Sequence, residues 1–112
     1  MMKKILLILF LVLAVQTINA QKIYKVNYES QADIKVFIVN YESQADLKVY
    51  YVKYETQASK PGLWFPVKYE SQADKKVYFV KYESQADLKI YIVNYESQAG
   101  WRDMSKSHLL QF

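Results

Sequence analysis

Short apolar runs and short polar runs alternate along almost the whole chain after its twentieth residue. The run Lys35-Val36-Phe37-Ile38-Val39-Asn40-Tyr41 is rich in β-branched and aromatic side chains, and its seven positions recur at 48–54, 76–82 and 89–95. That composition predicts strands. Between the runs stands Glu-Ser-Gln-Ala-Asp, whose short polar side chains bond to nearby backbone, so it predicts a turn or a single helical turn. Alternation puts Val36, Ile38 and Asn40 on one face, and Lys35, Phe37, Val39 and Tyr41 on the other. The middle of each strand is then apolar on both faces, as in Val49-Tyr50-Tyr51-Val52 and Ile90-Tyr91-Ile92-Val93. A plain meander of such strands would leave one apolar face in water, so the chain must wrap over itself or associate. A connection of five or six residues is too short for a helical crossover between parallel neighbours. Pro66 has no N–H for a ladder, which places 64–67 on an edge or broken strand.

The alternation is a repeat. Tyr28-Glu29-Ser30-Gln31-Ala32-Asp33 recurs from Tyr41, Tyr69 and Tyr82, each time with Lys two residues after the Asp. Variants begin at Tyr54, with Thr56 and Ser59, and at Tyr95, with Gly100. The spacing is 13 residues, except for 15 between Tyr54 and Tyr69. The third and sixth copies lack the Asp, and each runs into a tryptophan, Trp64 or Trp101. A shift of 41 residues lays the first three repeats on the last three, with 9 of 13 identities in the first pair and 10 of 13 in the second. The chain is therefore a doubled half, 21–62 and 63–103, joined near Lys60-Pro61-Gly62, with a non-repeat tail at 104–112.

Residues 1–20 have a different pattern. Two lysines, Lys3 and Lys4, precede eleven apolar residues and a polar stretch ending at Ala20. This is the layout of a secretory signal peptide, and cleavage after Ala20 would start the mature chain at Gln21. Eleven residues span only about 17 Å of a roughly 30 Å hydrocarbon core, so no stable membrane span is expected after cleavage. The expected location is exported, periplasmic or extracellular.

Charge and composition then remove several function classes. The formal charge of +4 falls to +2 without Lys3 and Lys4, too little to argue for nucleic acid. The absence of Cys excludes disulfides, thiol catalysis and cysteine metal sites. Gly62 and Gly100 are the only glycines, so no Gly-rich phosphate loop exists. His108 is the only histidine, which leaves carboxylates alone for zinc and nothing to single out one of the repeated serines for a triad. Calcium would need dense oxygen ligands around a mid-loop Gly, and no loop has them. Nor does a six-fold repeated polar motif supply the unequal environments that catalysis needs. No catalytic residue, metal or cofactor is expected.

The repeated Tyr-Glu-Ser-Gln-Ala-Asp-Leu-Lys-Val-Tyr units, with a Trp-bearing break in the middle, resemble the septoil-knot domain family of small exported proteins. The resemblance covers 21–103. It implies an all-β domain whose backbone forms a torus knot with seven crossings, the two halves wound around each other, and it implies no activity. Fold rules alone would discard such a threaded chain.

Departures from the repeat are where a site is sought. Trp64, Phe65, Trp101 and Arg102 break the unit, and Trp and Arg are enriched in binding hot spots. The competing reading makes both tryptophans plugs at the ends of the core. The sequence thus predicts an exported, non-catalytic, monomeric and kinetically stable module that binds a protein or glycan partner at its irregular ends. The alternative is a surface fibre built by cross-β stacking, against which stand the charges at the strand ends. An enzyme is the third reading.

Overall fold

A computed structural model describes residues 21–55 and 60–110. The leader and the variant residues Thr56 and Ser59 lie outside them. The apolar runs form β1 (Gln21–Lys25), β2 (Ile34–Ile38), β3 (Leu47–Tyr51), β4 (Leu63–Pro66), β5 (Lys75–Phe79) and β6 (Leu88–Ile92). A two-residue β7 (Gly100–Trp101) and a 3-10 helix, Met104–Leu110, follow. Each Glu-Ser-Gln forms one 3-10 turn, closed in the first repeat by Gln31 N–H to Tyr28 O and Ala32 N–H to Glu29 O, both 3.1 Å.

The strands lie in the order β4-β1-β5-β2-β6-β3-β7, and β3 also pairs with β4. That last pairing closes a six-stranded barrel. All six barrel strands are parallel, and only β7 runs antiparallel, alongside β3. The short connections do not forbid this, because the four within the halves never join ring neighbours. Each of these leads to the next strand but one, and the longer link 52–62 alone joins neighbours, β3 and β4. Lys25, the last residue of β1, and Ile34, the first of β2, stand beside the same residue of β5, Val77. Ile38 and Leu47 likewise flank Ile90 of β6. The chain therefore passes across one strand of the other half and resumes where it stopped. Each strand is displaced along its neighbour by about two residues, giving the ring a shear of about twelve and a strand tilt of roughly 55° at ordinary strand spacings.

The first and third positions of the strands face the barrel interior. Ile34, Val36, Leu47, Val49, Leu88 and Ile90 are all buried there, with Ile23, Trp64, Val77 and, from the tail, Leu110. The expected two-faced strand is corrected at its end. Strands are five residues long rather than seven, and Val39, expected on the outer face, is 4% exposed whereas Ile38 is 46% exposed. The backbone turns after Ile38, and Val39 donates its N–H to Ile90 O at 2.8 Å. Val26, Val52, Val67, Val80 and Val93 make the same kind of bond across to the other half. On the outer face Phe37, Tyr50, Tyr78 and Tyr91 are half-buried.

Two backbone specials fit this closure. Pro66 is not on a sheet edge, since β4 lies between β1 and β3. However, β3 pairs only with Leu63 and Trp64, so the side of β4 that Pro66 cannot serve is already without a strand partner. Gly62 is buried with φ +91°, and a Cβ there would run into the Lys48 carbonyl oxygen and the Gly100 nitrogen. The only two glycines of the chain thus meet where the halves join and the sixth repeat ends.

Both ring neighbours of every barrel strand come from the other half. An isolated half, 21–62 or 63–112, keeps none of these ladders and is expected to be unfolded or aggregated as a monomer. The whole chain should unfold slowly, since its contacts span large sequence separations. Hydrogen exchange and circular dichroism on the isolated halves check this. A half that folds cooperatively as a monomer would contradict the pairing scheme.

Candidate functional site

The four residues that break the repeat do not converge. Trp64 is fully buried in the core, with the Tyr51 ring edge-on to it at 6.3 Å between centroids and 69° between planes. Burial pushes the Tyr51 hydroxyl pKa up, although 36% of the residue still meets solvent. Phe65 packs partly buried on a second cluster of Val52, Leu63, Val93 and Ala99. Trp101 is half-buried against the main core and stands beside Leu47, whereas Trp64 stands beside Tyr51 at the other end of β3. Arg102 is exposed, and its guanidinium donates to the carbonyls of Glu42 at 3.1 Å and Ala45 at 3.4 Å, closing the second turn. Both tryptophans serve the core, and Trp64 presents nothing to a ligand.

The repeated aspartate has a structural task that the sequence did not reveal. Asp33 donates its N–H to Lys76 O at 2.8 Å, while its Oδ2 accepts from Lys76 N–H at 2.8 Å. Asp46 holds Lys89 in the same way, Asp74 holds Lys22, and Asp87 holds Lys35. Each clamp fastens the start of a strand to a strand of the other half. The lysine two residues after each aspartate pairs with the glutamate of its own repeat. Lys35 meets Glu29 at 3.3 Å, with equivalents at Lys48–Glu42, Lys76–Glu70 and Lys89–Glu83. These pairs are on the surface and contribute about 0–1 kcal/mol each. Where Gly100 replaces the aspartate, the chain leaves the ring. It runs back along β3, and Arg102 N–H donates to Asp46 O at 2.8 Å.

Concave places are shallow and polar. One groove of about 430 Å³ is lined by Asp46, Glu83, Ser84, Ala86, Asp87, Lys89 and Lys106, but Asp46 and Asp87 already accept clamp hydrogen bonds. Among the described residues no three His, Cys, Asp or Glu side chains gather as metal ligands. No described helix is long and apolar enough to cross a membrane. His108 turns Nδ1 to the Ser105 carbonyl oxygen at 3.0 Å, which requires the proton on that nitrogen and ties the ring to its own helix.

What the structure does present is tyrosine. Tyr28, Tyr41, Tyr54, Tyr69, Tyr82 and Tyr95, the first residue of each repeat, are all 66–68% exposed. Tyr28, Tyr41, Tyr69, Tyr82 and Tyr95 directly precede the described 3-10 turns, outside the strands, so they stand on the connections rather than on the barrel wall.

A family model, the 7(1) septoil knot domain, matches residues 20–102. The chain belongs to this family. No curated protein matches it. Within this septoil knot domain, the exposed tyrosines recur with the repeat, whereas the tryptophans mark the two places where it breaks.

Two outcomes follow from the clamps and the tail. Asp46 is 7% exposed, and Asp46→Ala leaves the part-buried Lys89 N–H unpaired, so it should cost about 1–3 kcal/mol in denaturant unfolding, against less for the exposed Asp33→Ala. Asp103 accepts from Ser105 Oγ at 2.6 Å and Ser105 N–H at 3.1 Å, and both hold its carboxyl below the usual carboxylate range. Because the folded pKa lies below the unfolded one, its support for the tail helix is complete above the unfolded value and is lost as pH falls through the folded one. Hydrogen exchange at Leu110 should therefore speed up in acid relative to the core, and Asp103→Asn should remove that pH dependence.

Proposed function

We propose that this protein is an exported, non-catalytic and kinetically stable knotted β-module that binds an extended glycan through its exposed tyrosines. The observation that carries the reading is the near-equal exposure of six tyrosines at equivalent repeat positions. A tyrosine offers a flat apolar face with a hydrogen-bonding tip, and ordering it costs little entropy. Each one adjoins Lys or Asn on one side and Glu-Ser on the other, or Glu-Thr in the third repeat, groups suited to sugar hydroxyls. Six like sites reward a partner that is itself repetitive, because each further contact is made at high effective concentration. Protein partners and the Trp–Arg residues first considered are less well supported, since Trp64 is enclosed.

Export rests on the leader pattern of residues 1–20. The knotted path is supported by the alternation of halves around the ring, by the four connections within the halves that each pass across a strand of the other half, and by the family description. The redundancy of the polar motif supports a non-catalytic role. The closed ring counts against cross-β stacking, because its barrel strands are already paired on both sides.

Affinity electrophoresis through gels containing neutral and acidic polysaccharides tests the reading. The parent should be retarded by at least one of them. Replacing the six tyrosines by serine should abolish retardation while leaving the unfolding rate within about twofold, since exposed substitutions cost little. Removing three should give a retardation in between. A six-fold variant retarded like the parent would refute binding through these rings.

A further inference from the structure

Gln21 occupies a place its side chain does not suit. The first positions of β2, β3 and β6 belong to the core and hold Ile34, Leu47 and Leu88, whereas β5 has the half-buried Lys75 there and β4 gives the core its second residue, Trp64. In β1 the first position is Gln21, only 4% exposed and paired in register with Trp64 of β4. Gln21 Oε1 and Trp64 Nε1 are the two buried side-chain polar atoms without a hydrogen-bond partner among the described residues. One is an acceptor and the other a donor, in neighbouring strands. Orphaned buried groups of this kind are costly and mark a place where the chemistry is incomplete.

If export proceeds as proposed above, cleavage after Ala20 makes Gln21 the N-terminal residue. The new terminus would then bring a charged α-ammonium to a strand start whose side chain is enclosed, a poor setting for an unpaired charge. We infer that Gln21 is a modification site: after cleavage it cyclises to pyroglutamate, whose lactam is seated beside Trp64. This rests on the export reading. The step balances within the residue. The α-amine nitrogen attacks Cδ, the new N–Cδ bond closes a five-membered ring, and the Cδ–Nε2 bond breaks. The side-chain nitrogen leaves as ammonia, carrying a proton from the amine, and nothing is oxidised or reduced. The charge disappears, and so do the two amide donors of Nε2. The former Oε1 remains as the lactam carbonyl oxygen, an acceptor for the Trp64 indole N–H. The ring is also shorter than an extended glutamine and closer to the apolar side chains that hold the equivalent positions.

The test uses the full chain, exported with its own leader and purified from the medium or periplasm. Intact-mass spectrometry, with N-terminal sequencing before and after pyroglutamyl aminopeptidase, reads the terminus. The expected mass is that of 21–112 less one ammonia, with sequencing blocked. The aminopeptidase should release the residue at least tenfold faster from denaturant-unfolded than from folded protein. The Gln21→Ala variant should show the uncyclised mass and a lower thermal midpoint. A chain beginning at Gln21 with its full mass would overturn the cyclisation and leave export standing. Equal release from folded and unfolded protein would overturn the seated lactam. A chain beginning elsewhere would overturn cleavage after Ala20, and the modification with it.

Discussion

The fold depends on one constraint: no barrel strand pairs with a strand of its own half. A strand left alone exposes two rows of N–H and C=O groups. Here their partners lie far away in sequence, as in Lys35 beside Tyr78 and Lys89 beside Phe37, except where β3 meets β4 and Tyr50 stands beside Leu63. The turns within each half cannot begin this sheet. They set the step between strands, and the other half supplies every bond. This explains why all six barrel strands are parallel with no crossover helix among the described residues, and why the aspartate clamps also reach across halves rather than along their own repeat.

The clamps make that arrangement specific. A one-residue slip between neighbouring strands would turn every inward side chain outward. Each aspartate binds both polar groups of one lysine backbone, so a slipped register would lose two hydrogen bonds as well as the burial. Where the clamp is missing at Gly100, the parallel ring gives way to the antiparallel β7, and the tail helix instead sends Leu110 into the core. The close approach of Gly62 to Gly100 then leaves no room for a side chain at the seam.

Much of this could be read from the residues. The doubled half, the strand and turn segments and the family all followed from the 13-residue unit and its breaks. The alternation of halves did not, because periodicity reports which residues face inward and says nothing of which strand lies next door. The parity change between Ile38 and Val39 was hidden because both are apolar, and only the turn in the backbone separates a 4% exposed valine from a 46% exposed isoleucine. For the site, residue type misled. Trp64 looked like a hot spot because it departs from the repeat, but it departs to fill the barrel beside Gln21 and Tyr51. Repetition alone does not tell a structural residue from an exposed one: the motif's Asp joins the two halves, whereas its Tyr faces water together with the Glu, Ser and Gln that follow.

The alternating ring also bears on how such a protein could arise and be rebuilt. Every ladder joins one half to the other, so the peptide link at Lys60-Pro61-Gly62 contributes mainly proximity, with a single bond to the ring in which Gly62 O accepts from Tyr50 N–H at 2.9 Å. A three-repeat chain carries three parallel strands with gaps between them that three more of the same kind fill. Two copies of a half-length ancestor could therefore close the ring as a two-fold dimer, and gene duplication would have turned that meeting of two molecules into a single-chain event. In the present protein the linker sets the effective concentration of one half for the other. Cutting it after folding should leave the barrel assembled, whereas cutting it before folding should make assembly depend on how much of each fragment is present.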